Sequence, residues 1–250
     1  MFRAPRDRLA NPMMKHKTPF SRPHPRPFLG ILGVLIALGA PLVQAMLIPW
    51  FAGTFAFPLD RFVSLWVFWI ALVLAIAISH YAEGFPLSAF GLRLGKKALR
   101  TRLIEWNLAA LAAMVTGGVI IFFSQYVRMR LTNSPDPASI AQLKEFPIWV
   151  LVPAWVTGAF TEEVLFRSYP IERLTELTGN RWLAASITLA AFTALHLLGW
   201  DWIHVVTVVL PGGVVLTLFY LWRRSLALNV IVHAIILVPL LIVPLVARYL

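Results

Sequence analysis

Stretches of about twenty apolar residues follow one another along this chain with only short polar breaks, and few folds can accommodate them. They cover residues 29–51, 62–80, 106–126, 146–166, 182–198, 202–222 and 226–246. A hydrocarbon core about 30 Å thick is crossed by about 20 helical residues. Each stretch is continuously apolar rather than alternating, so helices that satisfy their own backbone are expected and a β-barrel is not. The chain is 59% hydrophobic and 13% charged, with a mean hydropathy of +0.77, which lies outside the range of soluble domains. The expected fold is therefore all-α, a polytopic membrane bundle of about seven transmembrane helices spanning residues 28–250.

The basic residues bear on orientation. If the segment 1–27 is cytoplasmic, alternation of the spans puts seventeen of the 22 Lys and Arg on that side and five on the other. This bias predicts a cytoplasmic N-terminus and an outward C-terminal end of the last span. The net charge of +11 is thus mainly a topology signal, together with attraction to anionic lipid headgroups. No segment is long enough to fold as a soluble basic module, so nucleic acid is not an expected partner. Residues 1–27, basic and Pro-rich, have too few apolar side chains for a core and are expected to be disordered. The first apolar run is too long for a cleaved signal and is read as an uncleaved anchor. The chain has no cysteine, which removes disulfides, thiolate metal sites and a cysteine nucleophile. No internal repeat is evident, which weighs against a transporter built from inverted halves.

Glu162 and Glu163 interrupt the fourth stretch, and Arg167 follows. Insertion scales put a charge near a helix centre at roughly 2.5–3.5 kcal/mol, so two adjacent carboxylates at depth mark a functional site. Residues four apart share a helical face, which pairs Glu163 with Arg167 and turns Glu162 elsewhere. A carboxylate without an ionic partner suits a general base, so Glu162 is assigned to chemistry and Glu163 with Arg167 to support. Of six histidines, His16 and His24 lie in the tail and His80 and His204 near span ends, while His196 and His233 lie inside apolar runs. Counted from the cytoplasmic flanks, Glu162, His196 and His233 sit roughly 15, 22 and 14 Å deep, close enough to meet.

A Glu–His pair can deprotonate water, and a further imidazole can donate to the oxyanion of a tetrahedral intermediate, which together hydrolyse a peptide bond. Glu162, His196 and His233 are also ordinary ligands for a divalent metal, but H-E-x-x-H is absent and no cofactor is expected. Nothing supports a serine nucleophile through G-x-S-x-G, and every aspartate lies in the tail or a loop. Asp201 and His204, close together near an outer interface, are a weak candidate for a metal. Trp50, Trp66, Trp106, Trp182, Trp200, Trp202 and Trp222 fall near span ends, as interfacial anchors do, and Trp155 is internal.

These residues resemble the CPBP intramembrane endopeptidases, which include CAAX-type prenyl-protein proteases and bacteriocin-processing members (Abi domain). The family's E-E-x-x-x-R matches Glu162, Glu163 and Arg167, and its F-x-x-x-H matches Phe192 and His196. The stretch from Gly213 through Tyr220 and Arg223 to His233 resembles its last motif, and Gly91-Leu92-Arg93 its upstream element. The resemblance covers residues 147–246. It implies an endopeptidase acting on a membrane-associated protein or peptide, in which Glu162 and His196 activate water and His233 stabilises the oxyanion. It also implies an asparagine, or an aspartate, four residues after that histidine, where this chain has Leu237. Asn229 lies on the same face one turn earlier, about 12 Å along the axis from position 237. The alternative is a catalytically silent protein of bacteriocin-immunity or chaperone type that uses the same cavity, and a proton-relay transporter is a third class. A multi-pass protein of a bacterial inner membrane is the expected setting.

Overall fold

The computed structural model describes residues 27–84, 90, 99–134 and 143–246. Expectations for the basic tail and for the Gly91-Leu92-Arg93 element fall on residues outside that set. Among the described residues there are seven principal helices and no strand: α1 (Pro27–Thr54), α2 (Leu59–Ala82), α3 (Leu99–Thr132), α4 (Ile148–Thr178), α5 (Arg181–His196), α6 (Trp202–Arg223) and α7 (Leu226–Val246). The chain is an all-α helical membrane bundle. Six of these helices are long and apolar enough to cross a membrane, one fewer than the seven apolar runs suggest.

The shortfall is α5, which has 16 residues. Its apolar run continues, but the backbone N–H groups of Leu197, Leu198, Gly199 and Trp200 bond back to the carbonyls of Ala194, Leu195 and His196 and turn the chain. The opposite deviation occurs in α4. Its apolar run stops at Phe166, yet the helix continues to Thr178 through Arg167, Glu172, Arg173 and Glu176.

Burial by protein explains that extension. Residues 163–173 are all buried, packed among α1, α5 and α7. The charges in this half find one another: Arg173 pairs with Glu83 and Glu176, and Glu172 accepts from the Tyr220 hydroxyl at 3.2 Å and pairs with Arg224 at 3.4 Å. Between Glu163 and Ser168 the helix opens into a wider π turn. Such a turn is a common feature of functional sites, because it changes which side chains share a face.

Small residues bring α1 against its neighbours. Ala37 and Ala40 of α1 and Ala71 and Ala75 of α2 are buried in one cluster with Leu165, Phe166 and Tyr169 of α4 and Phe192 of α5. Gly33 lies directly against the Tyr169 ring, which is fully buried. Side-chain hydrogen bonds join other pairs: Trp69 Nε1 donates to Thr157 Oγ1 (3.0 Å), Trp155 Nε1 to the Ala234 carbonyl (2.9 Å), and Thr207 bonds to Ser124 (2.8 Å). Outward, α3 exposes Leu108, Leu111, Met114, Val115, Val119 and Phe122, the surface a lipid solvent favours. Trp50, Trp66, Trp182, Trp202 and Trp222 are exposed as expected of interfacial anchors, whereas Trp200 is turned inward.

Candidate active site

The π turn places adjacent glutamates in different surroundings. Glu163 is fully buried: Arg167 Nη1 lies 3.1 Å from its Oε1, and the Asn229 amide makes a short hydrogen bond to its Oε2. His233 Nδ1 stands 2.7 Å from the same Oε1, out of line for a straight hydrogen bond. The expected pairing of Glu163 with Arg167 is present, and α7 adds two partners to it. Glu162 keeps an 18% exposed side chain and, among the described residues, has no partner at hydrogen-bond distance; His233 Nε2 is 3.9 Å from its Oε2.

His196 ends α5. Its Nδ1–H donates to the Phe192 carbonyl at 2.7 Å, since a carbonyl can only accept. In the neutral ring this leaves Nε2 as the nitrogen with a lone pair. The Phe192 ring lies 4.3 Å from the imidazole and carries the Arg167 guanidinium on its face at 3.9 Å. Phe192 thus links the two motifs, and α6 presses on it from behind: a methyl at Gly213 would come within 3.2 Å of its ring.

Two cavities meet at this point. One, about 240 Å³, lies among α4, α5, α6 and α7 with apolar walls that include Leu151, Trp155, Leu216 and Leu240. The other, about 220 Å³, lies toward α1 and α2 and is lined in part by Gln44, Thr157 and Thr161. Glu162, His196, Gly158 and Trp200 line both and form the wall between them. His233 and Leu237 line the first, so the side chain at 237 faces the site, and it faces it with methyl groups. Among the described residues, no group of three or more His, Asp or Glu is gathered closely enough to hold a metal ion.

Asn229 behaves otherwise than a substitute for the amide missing at 237. Its Nδ2 donates to Glu163 and to the Leu216 carbonyl at 3.1 Å, which uses both N–H groups of the amide. Its side chain therefore supports Glu163 and has no N–H left for the cavity.

His204 and Asp201 also differ from the sequence reading. Asp201 pairs with Arg128 and caps α6 by accepting from the His204 backbone N–H at 3.1 Å. Partial burial opposes ionisation of Asp201, but these two donors hold its carboxyl below the usual carboxylate range. His204 is 5% exposed, stacks on Trp200 with ring centroids 4.3 Å apart, and lines the cavity that holds Glu162, His196 and His233. Its place near a span end set it apart from His196 and His233 in the sequence; the turn at 197–200 folds it inward to join them. The available signal was the four-residue spacing of Phe192, His196, Trp200 and His204, which keeps one stripe across the helix break.

No curated protein and no solved structure matches this chain. Residues 144–238 match the family model of Type II CAAX prenyl endopeptidase Rce1-like. That span contains both glutamates, Arg167, Phe192 and both motif histidines, so over these residues the chain is similar to the CAAX-protease family that its motifs resemble.

Proposed function

We propose that this protein is an intramembrane endopeptidase that hydrolyses a peptide bond in a membrane-associated protein or peptide. The observation that carries this reading is the contrast between the glutamates: Glu163 is sealed and matched, while Glu162 opens onto two cavities without a partner at bonding distance, beside an imidazole of fixed orientation. In this reading Glu162, assisted by His196, takes a proton from water as the water oxygen attacks the scissile carbonyl carbon. The carbonyl oxygen becomes an oxyanion, and His233, when protonated, donates to it through Nε2. Collapse of the intermediate breaks the C–N bond, and the proton held on Glu162 passes to the leaving amine. Arg167, Asn229 and Phe192 position the Glu163–His233 pair and His196. Water activation here uses side chains alone and calls for no cofactor.

The test compares the termini of membrane-associated proteins in cells carrying the wild type or Glu162→Gln. New termini that depend on Glu162 are expected, at equal protein abundance. Wild-type cells with no such termini would favour the second reading, a silent binding protein, which Leu237 in the cavity wall supports by withholding a polar donor. The family description makes a prenylated C-terminal peptide the first substrate class to look for among those termini.

A further inference from the structure

The cavity contains one imidazole that the hydrolytic scheme leaves without a task. Burying a polar ring without a partner carries a cost of desolvation, and native structures usually meet it with a protein group, a water or a ligand. His204 is buried, and among the described residues its ring makes no hydrogen bond. Its position is nevertheless fixed on two sides. The ring lies flat on Trp200, with an interplanar angle of 16°, and its backbone N–H is tied to Asp201, itself held by Arg128. Trp200 is in turn placed by its N–H bond to the His196 carbonyl at 2.9 Å. A stacked ring has its face covered, so its nitrogens, which lie in the ring plane, are what it can offer to the cavity it lines.

That cavity is shared with Leu237. The two residues line the main cavity together, and they do so again in a smaller one of about 120 Å³ between α3, α6 and α7. Leu237 stands where the resembled family supplies an amide donor, and Asn229 has spent both N–H groups elsewhere.

We propose that His204 donates, through a ring N–H, the hydrogen bond to the substrate carbonyl oxygen that position 237 does not supply in this chain. The inference rests on the proteolytic reading and adds a catalytic residue to it. No bond is made or broken at His204. Its N–H faces an oxygen that gains negative charge as water adds to the carbonyl carbon and loses it when the C–N bond breaks, so the hydrogen bond is strongest in between.

The experiment uses the full-length protein reconstituted in liposomes with the substrate whose termini disappear in Glu162→Gln cells. His204→Phe retains the stack on Trp200 and removes the donor. It should keep the wild-type melting temperature and KM while kcat falls about 10²–10³-fold, with the pH profile of kcat/KM unchanged in shape because the base is untouched. Leu237→Asn in the same background should restore about tenfold or more of that loss. Equal kcat in wild type and His204→Phe would overturn the inference and leave the proteolytic reading standing, as would a double variant no faster than His204→Phe. If His204→Phe melts below wild type, His204→Met in both backgrounds gives the same comparison. An absence of Glu162-dependent termini in wild-type cells overturns both readings together.

Discussion

At the scale of the residue, neighbouring carboxylates have been given opposite environments, and their substitutions should differ accordingly. Neutralising Glu163 leaves the buried Arg167 beside an uncharged amide and turns one of the two acceptor oxygens that serve Arg167 and Asn229 into a donor. Breaking a buried pair costs about 3–5 kcal/mol, so Glu163→Gln should lower the melting temperature in detergent or the steady-state abundance. Glu162→Gln should melt like the wild type, since that carboxylate has no partner at bonding distance. A normal melting temperature for Glu163→Gln, with loss of cleavage, would reverse the two roles. Much of this contrast was legible in the sequence, because a spacing of four joins Glu163 to Arg167 on one helix. The contributions of Asn229 and His233 to Glu163 were not, because they come from a helix more than sixty residues later and no local pattern encodes which face of α7 meets α4. His204 escaped for a related reason: hydropathy placed it at a helix end, and only the turn after His196 decides whether such an end meets water or protein.

Among the helices, α4 shows how packing overrides a hydropathy boundary. Its first half could be read from composition, while its second half carries five more charges after Glu162 and continues because α1, α2, α5, α6 and α7 supply what the lipid cannot. The fit against α1 is close enough to test with one methyl group. A Cβ at Gly33 would overlap the Tyr169 hydroxyl and ring, and that ring is fully buried and has no room to withdraw. Gly33→Ala should therefore destabilise the protein by about 1–3 kcal/mol, the usual range for overpacking, read as a fall in melting temperature. Gly39→Ala on the same helix meets nothing within 4 Å and serves as the control, expected to be neutral or slightly stabilising. Equal melting temperatures for the two variants would show that α1 does not approach α4 this closely. The number of helices was readable from the apolar runs; the depth reached by α5 was not, since the last two residues of its run, Leu197 and Leu198, are spent on a turn.

For the molecule as a whole, the uneven distribution of Lys and Arg leads us to place the ends of α4 and α6 that carry Leu177 and Arg223 in the cytoplasm, with the connection between α1 and α2 outside. Because the chain has no cysteine of its own, single replacements report sidedness without background. In intact cells Phe57→Cys should react with a membrane-impermeant maleimide and Leu177→Cys should not, both positions being exposed; the reverse pattern would invert the protein. The burial of α4 also has a consequence for how the protein is made. A ribosome releases Glu163 well before it releases Asn229 and His233, and a chain folding from its first-made end has no partner from α7 to offer that carboxylate. A charge near the bilayer centre is resisted by about 2.5–3.5 kcal/mol, and Glu163 lies inside the apolar part of α4. Arg167, made four residues later on the same helix, is thus the partner that Glu163 has from the start, and its surroundings are completed only when α7 arrives.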